Sequence, residues 1–173
     1  MTIHKSRKKA VILYLVSSSI VFVAIVGGLR IVLLSMQGIP FTTIEEDIRI
    51  YKDPNNALAH FNRGWIRSQS GDREGAIADF TEAIKIVSSG KDKNSSLSLV
   101  GLYDDRGQVY NHLGGSAEDR NPAEAQKNYR LAISDYQKSA ELCKLESDKP
   151  ICSMIVDNIE WVKKSLSEVS SKN

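Results

Sequence analysis

The longest apolar run of the chain lies near its N-terminal end, where residues 10–29 contain no charged side chain. Twenty such residues in an α-helix span about 30 Å, the thickness of a hydrocarbon core. The run predicts a transmembrane helix, and residues 31–36 continue it as an apolar juxtamembrane segment, so that 10–36 form one anchor region. A cleaved signal peptide is the alternative, but its hydrophobic region is usually about 7–15 residues long.

Charge is distributed unevenly around this anchor. Residues 1–9 form a basic leader with Lys5, Arg7, Lys8 and Lys9, and the first 40 residues contain no Asp or Glu. The positive-inside rule places the N-terminus in the cytoplasm (or stroma) and the C-terminal domain on the far side, in a periplasm or lumen. The rest of the chain is mildly acidic without a basic stripe, which argues against nucleic acid as a partner.

Residues 37–56 are predicted to be a linker that contains a short capping helix. Thr43 and Glu46 have the spacing of a capping box, in which each side chain satisfies a backbone amide at the start of a helix. Pro54 ends the pattern. The predicted apolar stripe of this helix is Ile44, Ile48 and Tyr51.

Residues 57–87 contain two helical patterns separated by Gly71 and Asp72. Gly71 suits the C-terminal end of one helix, and Asp72 suits the N-cap of the next. The second helix has apolar residues at three- and four-residue spacing, which is typical of an amphipathic helix. These residues are Ala76, Ile77, Phe80, Ala83, Ile84 and Val87.

The pattern recurs at residues 99–145, with about thirteen extra residues in its second half. We predict that the insertion forms a surface loop at 114–121 and that a helix begins at Pro122, after Asn121 as N-cap. A last helix follows Pro150 within the segment 147–173, with a stripe that begins at Ile151. The aligned pairs are Gly64 with Gly107, Gly71 with Gly114, Ala76 with Ala132, Phe80 with Tyr136, and Ala83 with Ser139.

This order of small and aromatic residues resembles the tetratricopeptide repeat (TPR). Counted from Ala57, the residues Gly64, Ala76 and Phe80 fall on the small, small and aromatic positions of that family. The resemblance implies an all-α protein, in which an N-terminal transmembrane helix is followed by a short α-solenoid of two TPR helix pairs over residues 57–146. Because about three repeats are usually needed for stability, the flanking helices are expected to cap the pair.

The resemblance also implies a partner-binding groove lined by the first helix of each repeat. Phe61 and Trp65 share one helix face, and Trp is a frequent interface anchor; the alternative is that one or both pack against the capping helix. The adjacent Asp104 and Asp105 suit a neutral or basic partner segment. The implied groove residues are Leu58, Phe61, Asn62, Trp65, Gln69, Asp104, Gln108 and Asn111, with Ser68, Gly101, Asp105 and His112 at further equivalent positions.

Cys143 and Cys152 flank a turn between two helices that are predicted to be antiparallel. This spacing can bring the Cα atoms within the distance that a disulfide requires. In an oxidising compartment we expect the bond to form. Two buried free thiols are the alternative, since cysteine is often a core residue.

No motif for catalysis is present. The chain has no HExxH, CxxC or GxSxG sequence and no phosphate-binding glycine loop, so we expect neither an enzyme nor a metal, cofactor or small-molecule substrate. The expected function is a membrane-tethered TPR adaptor for protein–protein interaction, such as an assembly or stability factor for a membrane complex, with membrane-associated protein partners. The alternative is a permanent small accessory subunit of a membrane complex, held mainly by its transmembrane helix.

Overall fold

The computed structural model describes residues 12–16, 19–26, 29–32, 43–92, 95–144 and 149–171, with side chains described for 43–92, 95–144 and 151–171. The chain divides into two compact units, Met1–Ile39 and Pro40–Asn173. The basic leader 1–9 and the segment 33–42 lie outside the described residues.

The first unit contains three antiparallel strands, β1 (Ile12–Val16), β2 (Ser19–Val26) and β3 (Leu29–Val32), in the order β1-β2-β3. Val23 lies opposite Ile12 on one side and Val32 on the other. The structure therefore differs from the helix expected over residues 10–29. The physical reason is the Val and Ile content of the run, because β-branched residues favour extended backbone.

The second unit is all-α over its described residues, as the sequence predicts. Its helices are α1 (Thr43–Lys52), α2 (Ala57–Gln69), α3 (Arg73–Ser88), α4 (Leu99–Ala117), α5 (Pro122–Cys143) and α6 (Lys149–Ser171). Each helix packs against the next one along the chain. Across the described part of the protein, none of the helices combines the length and the apolar character that crossing a membrane demands.

Side chains at the helix starts explain several of these boundaries. The Asp72 carboxylate accepts a hydrogen bond from the Gly75 amide, and the Asn121 side chain accepts one from the Glu124 amide. Gly71 precedes Asp72 with a φ of +87°, a left-handed conformation that glycine adopts without steric cost. Both N-caps are those that the sequence predicts.

The connection between α4 and α5 is shorter than the loop predicted at 114–121, because α4 continues through Gly114 to Ala117. The ring of Tyr129 lies directly against Gly114, where an added Cβ would be 2.6 Å from a ring carbon. Tyr129 is fully buried by this contact. Burial of a tyrosine ring outweighs the cost of glycine in a helix, about 1 kcal/mol, so the glycine packs instead of ending the helix.

Two of the predicted apolar stripes are not fully buried. In α6, Ile155, Ile159 and Val162 are buried, whereas Ile151 at the start of the stripe is exposed. In α1 the whole stripe of Ile44, Ile48 and Tyr51 is exposed, and the buried residues are Thr43 and Glu46. Polar contacts therefore decide which side of α1 faces α2.

Candidate partner-binding groove

The helix pairs α2–α3 and α4–α5 are held together by equivalent close contacts. An added Cβ on Gly64 would lie 3.0 Å from the Phe80 ring, and one on Gly107 would lie 3.0 Å from the Tyr136 ring. Both rings are fully buried. The missing side chain at each glycine therefore allows an aromatic ring of the second helix to pack directly on the backbone of the first.

A buried ion pair lies beside each of these contacts. The Arg63 guanidinium donates to both oxygens of Asp79, with Nη2 2.6 Å from Oδ1 and Nε 3.0 Å from Oδ2. Arg106 binds Asp135 in the same two-pronged way, at 2.8 Å and 2.7 Å. The partners are 16 residues apart in the first pair and 29 in the second. The difference of 13 matches the extra residues of the second pair, so the internal repeat extends to its ion pairs.

Asp79 has more cationic neighbours than Asp135. Arg67 also donates to it at 2.8 Å, and the His60 ring nitrogen lies 3.8 Å away. Burial alone would raise the pKa of Asp79, but the nearby His60 ring, the hydrogen bonds from Arg63 and the charges of Arg63 and Arg67 hold that pKa below its usual value. Asp79 therefore acts as the shared counter-ion that fixes α2 on α3.

Arg106 joins three helices. Besides Asp135 on α5, it donates to the Thr81 hydroxyl of α3 at 2.9 Å, and its guanidinium lies 5.6 Å from the centre of the Tyr103 ring. Hydrogen bonds to Asp135 raise the pKa of Arg106 above its already high value, so the residue stays charged. These contacts tie α4 to α5 of its own pair and to α3 of the first pair.

A narrow groove runs between α2 and α4, with a cavity of about 80 Å³. Trp65 stands at its edge with 52% of its surface exposed. We call this feature the α2–α4 groove. Its lining residues are Trp65, Ser68, Gln69, Phe80, Asp105, Gln108, Val109 and His112.

The residues implied by the TPR resemblance divide into three groups. The first group meets in the groove: Trp65, Ser68, Gln69, Asp105, Gln108 and His112. Phe61 packs on Phe80, with ring centres 5.8 Å apart, and belongs to the core between the helices. The other implied residues do not line the groove: Leu58 is exposed, Asn62 donates to Glu46 on α1 at 3.4 Å, and Asp104 and Asn111 lie elsewhere on α4.

The acidic pair on α4 is held in an unfavourable environment for its charge. Burial, reinforced by the negative charge of Asp104, raises the pKa of Asp105 to about 6. Burial also raises the pKa of Asp104, whereas Gln108, which donates to its Oδ2 at 2.7 Å, and the nearby Asn158 act in the opposite direction. A positive charge brought to this face would therefore be attracted to it.

Two buried acceptor atoms on α4 lack hydrogen-bond donors. They are Oδ1 of Asp104 and Oδ1 of Asn111. These residues are two helical turns apart and lie on one face of α4.

The cysteines join α5 to α6. The structure links Cys143 and Cys152 by a disulfide, with their Cα atoms 5.7 Å apart. Cys143 is the last residue of α5 and is fully buried. The bond therefore closes the turn between the two helices at the point where α6 begins to pack. Whether the native compartment oxidises the pair stays a prediction.

The Arg–Asp pairs are the main feature that the sequence interpretation missed. The sequence contains a signal for them, because each helix pair has an Arg-Gly dipeptide in its first helix and an Asp-aromatic dipeptide in its second. The dipeptides are Arg63-Gly64 with Asp79-Phe80 and Arg106-Gly107 with Asp135-Tyr136. Within the described ranges, no group of three His, Cys, Asp or Glu side chains could hold a metal ion.

Comparison with known proteins adds no relative. No protein-family model matches the chain, and a search of the curated proteins finds no match. The fold and the groove define the class by themselves: over its described helices this is an all-α protein with two equivalent helix pairs and a groove between their first helices.

Proposed function

We propose that this protein is a membrane-tethered adaptor of the tetratricopeptide-repeat type and that its α2–α4 groove binds an exposed segment of a partner protein. The observation that carries the proposal is Trp65, which leaves half of its surface exposed at the edge of a groove lined by polar side chains. A large aromatic side chain beside hydrogen-bonding groups is typical of an interface hot spot.

The repeat assignment is supported by the equivalent contacts of the two helix pairs. Arg63 with Asp79 and Arg106 with Asp135 are matched ion pairs, and each adjoins a glycine on which an aromatic ring packs. Stacked repeats of this kind present the same helix of each unit on one surface. The proposal assigns that surface to α2 and α4.

The partner segment is expected to be neutral or basic. Asp105 lines the groove, and the negative charge of Asp104, which precedes it on α4, acts on Asp105. A carboxylate at the end of a partner would be repelled by this pair, whereas a Lys or Arg side chain would relieve the repulsion between them. The partner class that follows is an exposed protein segment with cationic or hydrogen-bond-donating side chains.

The tether in this proposal is the apolar run 10–29, inserted as a helix. An open antiparallel sheet leaves backbone N–H and C=O groups unpaired along its edges, and each unpaired group costs several kcal/mol in hydrocarbon. A helix pairs these groups within the segment, so a bilayer favours the helical form of the same residues. The basic leader then stays in the cytoplasm, the helical domain lies on the far side, and tethering raises the effective concentration of a weak binder near membrane partners.

The experiment is affinity capture from gently solubilised membranes with the full chain, Trp65→Ala and Trp161→Ala. Trp161 on α6 is the matched control, because it is the other tryptophan and is similarly exposed, at 57%. Loss of one interface tryptophan is expected to weaken binding by about 2 kcal/mol or more, about 30-fold. Trp65→Ala should lose the partner, and Trp161→Ala should keep it.

A third variant separates the adaptor from the alternative of a permanent accessory subunit. In it, residues 10–29 are replaced by an unrelated transmembrane helix of the same length. If Trp65→Ala keeps all partners while the replaced anchor loses them, the adaptor proposal fails and the accessory subunit is favoured. Resistance of the full chain to extraction by alkaline carbonate tests the tether itself, and complete extraction would contradict it.

A further inference from the structure

Helix α1 presents its polar side to the domain. Its buried residues are Thr43 and Glu46, and the Glu46 carboxylate accepts a hydrogen bond from Asn62 of α2 at 3.4 Å. Asp47 accepts one from Arg63 at 2.7 Å. Hydrogen bonds and charge therefore attach α1 to α2, and apolar burial contributes little to this attachment.

The apolar side of α1 is left outside. Ile44, Ile48 and Tyr51 follow one another at four- and three-residue spacing and form one stripe, and Tyr51 is 87% exposed. A helix that served only to cap the domain would gain more by burying this stripe and exposing its acidic residues. The reversed arrangement indicates that the stripe has another apolar surface to contact.

The position of α1 in the chain identifies that surface. Residues 30–42 separate Leu29, the last residue of the apolar run, from Thr43, the first residue of α1. Thirteen residues reach about 45 Å at most when fully extended. If the run 10–29 is inserted in a bilayer, as the proposed function requires, α1 stays within that distance of the bilayer surface.

We propose that α1 lies in the membrane interface, with Ile44, Ile48 and Tyr51 against the lipid. The inference rests on the proposed membrane tether and adds a second membrane contact to it. Tyr51 suits this position, because tyrosine is enriched where headgroups meet hydrocarbon. Lys52 lies in the last turn of α1 beside the stripe, where it can reach lipid phosphates, whereas Arg49 pairs with Glu45 at 2.6 Å.

This contact would orient the binding domain. Because α1 packs on α2, and α2 carries Trp65, lipid contact by α1 holds the α2–α4 groove one helix away from the membrane surface. The groove would then reach segments of partners that emerge from the same membrane. Rotation of the domain about a flexible tether would be suppressed.

The test compares two neighbouring positions on α1 in the full chain reconstituted into phospholipid vesicles. Ile48→Cys and Arg49→Cys are each labelled with an environment-sensitive fluorophore, and the unsubstituted chain measures any labelling of the native cysteines. The two side chains are matched, since Ile48 is 49% exposed and the Arg49 side chain 46%, yet they differ by about 100° around the helix. Quenchers are iodide in the water and bromine-substituted acyl chains in the lipid.

The expected result is a blue-shifted label at position 48 that is quenched by the brominated lipid and shielded from iodide, with the label at 49 open to iodide. Equal access of iodide to both positions in vesicle-bound protein would overturn the proposal. Shielding at 48 without lipid quenching would also overturn it and would assign the stripe to a second copy or a partner protein. Extraction of the same vesicles with alkaline carbonate reports separately on the tether, so failure of the tether and failure of the α1 contact give different results.

Discussion

The helix pairs α2–α3 and α4–α5 share their interior contacts and differ at their surfaces. Both place an arginine–aspartate pair beside a glycine covered by an aromatic ring. The first pair presents Trp65 to the groove, whereas the second presents Asp105. Packing contacts tolerate little change, because volume and charge must be matched in the interior. Surface positions are free to diverge, and that divergence creates an asymmetric groove.

Replacement of the two buried aspartates is expected to give the largest difference in stability between the helix pairs. Asp79→Ala is expected to lower the free energy of unfolding by about 3 kcal/mol, because it removes the buried carboxylate that Arg63 and Arg67 share and leaves them only the more exposed Asp47 and Asp72. Asp135→Ala should lower it by about 2 kcal/mol, since Arg106 alone is left unpaired. Urea unfolding of the chain in mild detergent measures both.

Glu141→Ala is the control for these variants, because its pair with Lys138 is exposed and its loss should change stability by less than about 0.5 kcal/mol. Equal losses for Asp79→Ala and Asp135→Ala would contradict the view that Asp79 is a shared counter-ion.

Only the second pair is joined covalently to the following helix. Reduction of the bond between Cys143 and Cys152 is expected to lower the free energy of unfolding by about 2–3 kcal/mol, because the closed loop restricts the unfolded chain. The measurement is urea unfolding with and without dithiothreitol, and Cys152→Ser should not respond to the reductant. Two alkylated thiols in the native protein, detected by mass without reduction, would count against oxidation in the native compartment.

Gly71 and Gly114 align in the repeat but have different structural roles. Gly114→Ala should destabilise the protein by about 2 kcal/mol, because its Cβ would overlap the Tyr129 ring. Gly71→Ala should cost about 1 kcal/mol through backbone strain at positive φ. As a control in α4, Gly101→Ala meets no atom within 4 Å and should stabilise by about 0.5 kcal/mol or more. If Gly71→Ala proved the more damaging, the packing role of Gly114 would be contradicted.

Lowering the pH is expected to change the stability contributed by Asp79 in the first helix pair and by Asp105 in the second in opposite directions. The raised pKa of Asp105 contributes stability at low pH that is lost as the pH rises through about 6. The lowered pKa of Asp79 contributes stability above the ordinary aspartate pKa that is lost as the pH falls toward the folded-state value. Asp105→Asn should therefore stabilise the protein at pH 7 by about 1 kcal/mol, after allowance for solvent screening, and much less at pH 4.

Unfolding measured between pH 4 and pH 7 checks this last difference. A gain from Asp105→Asn that does not vary with pH would mean that Asp105 ionises normally in the folded protein. The groove would then have no electrostatic reason to prefer a basic partner segment.

Local patterns predicted most of the helical fold. The caps at Asp72 and Asn121 and the spacing of small and aromatic residues around Phe80 and Tyr136 depend on neighbours within a few turns, so they are readable along the chain. The groove was predicted only in part. Phe61 packs in the core instead of lining it, because the Phe80 ring lies within reach across the helix pair, a contact that helix periodicity alone does not reveal.

The sequence by itself determined the all-α character of residues 43–171 where they are described, the internal repeat and the apolar run at 10–29. These features follow from periodicity, capping and composition, which are properties of neighbouring residues. Only the tertiary structure decided that Gly114 stays helical under Tyr129, that Asp79 and Asp135 are buried counter-ions, and that α1 turns its apolar stripe outward. Each of these depends on a side chain from a different helix, and free energies of packing and charge pairing there outweigh local preference.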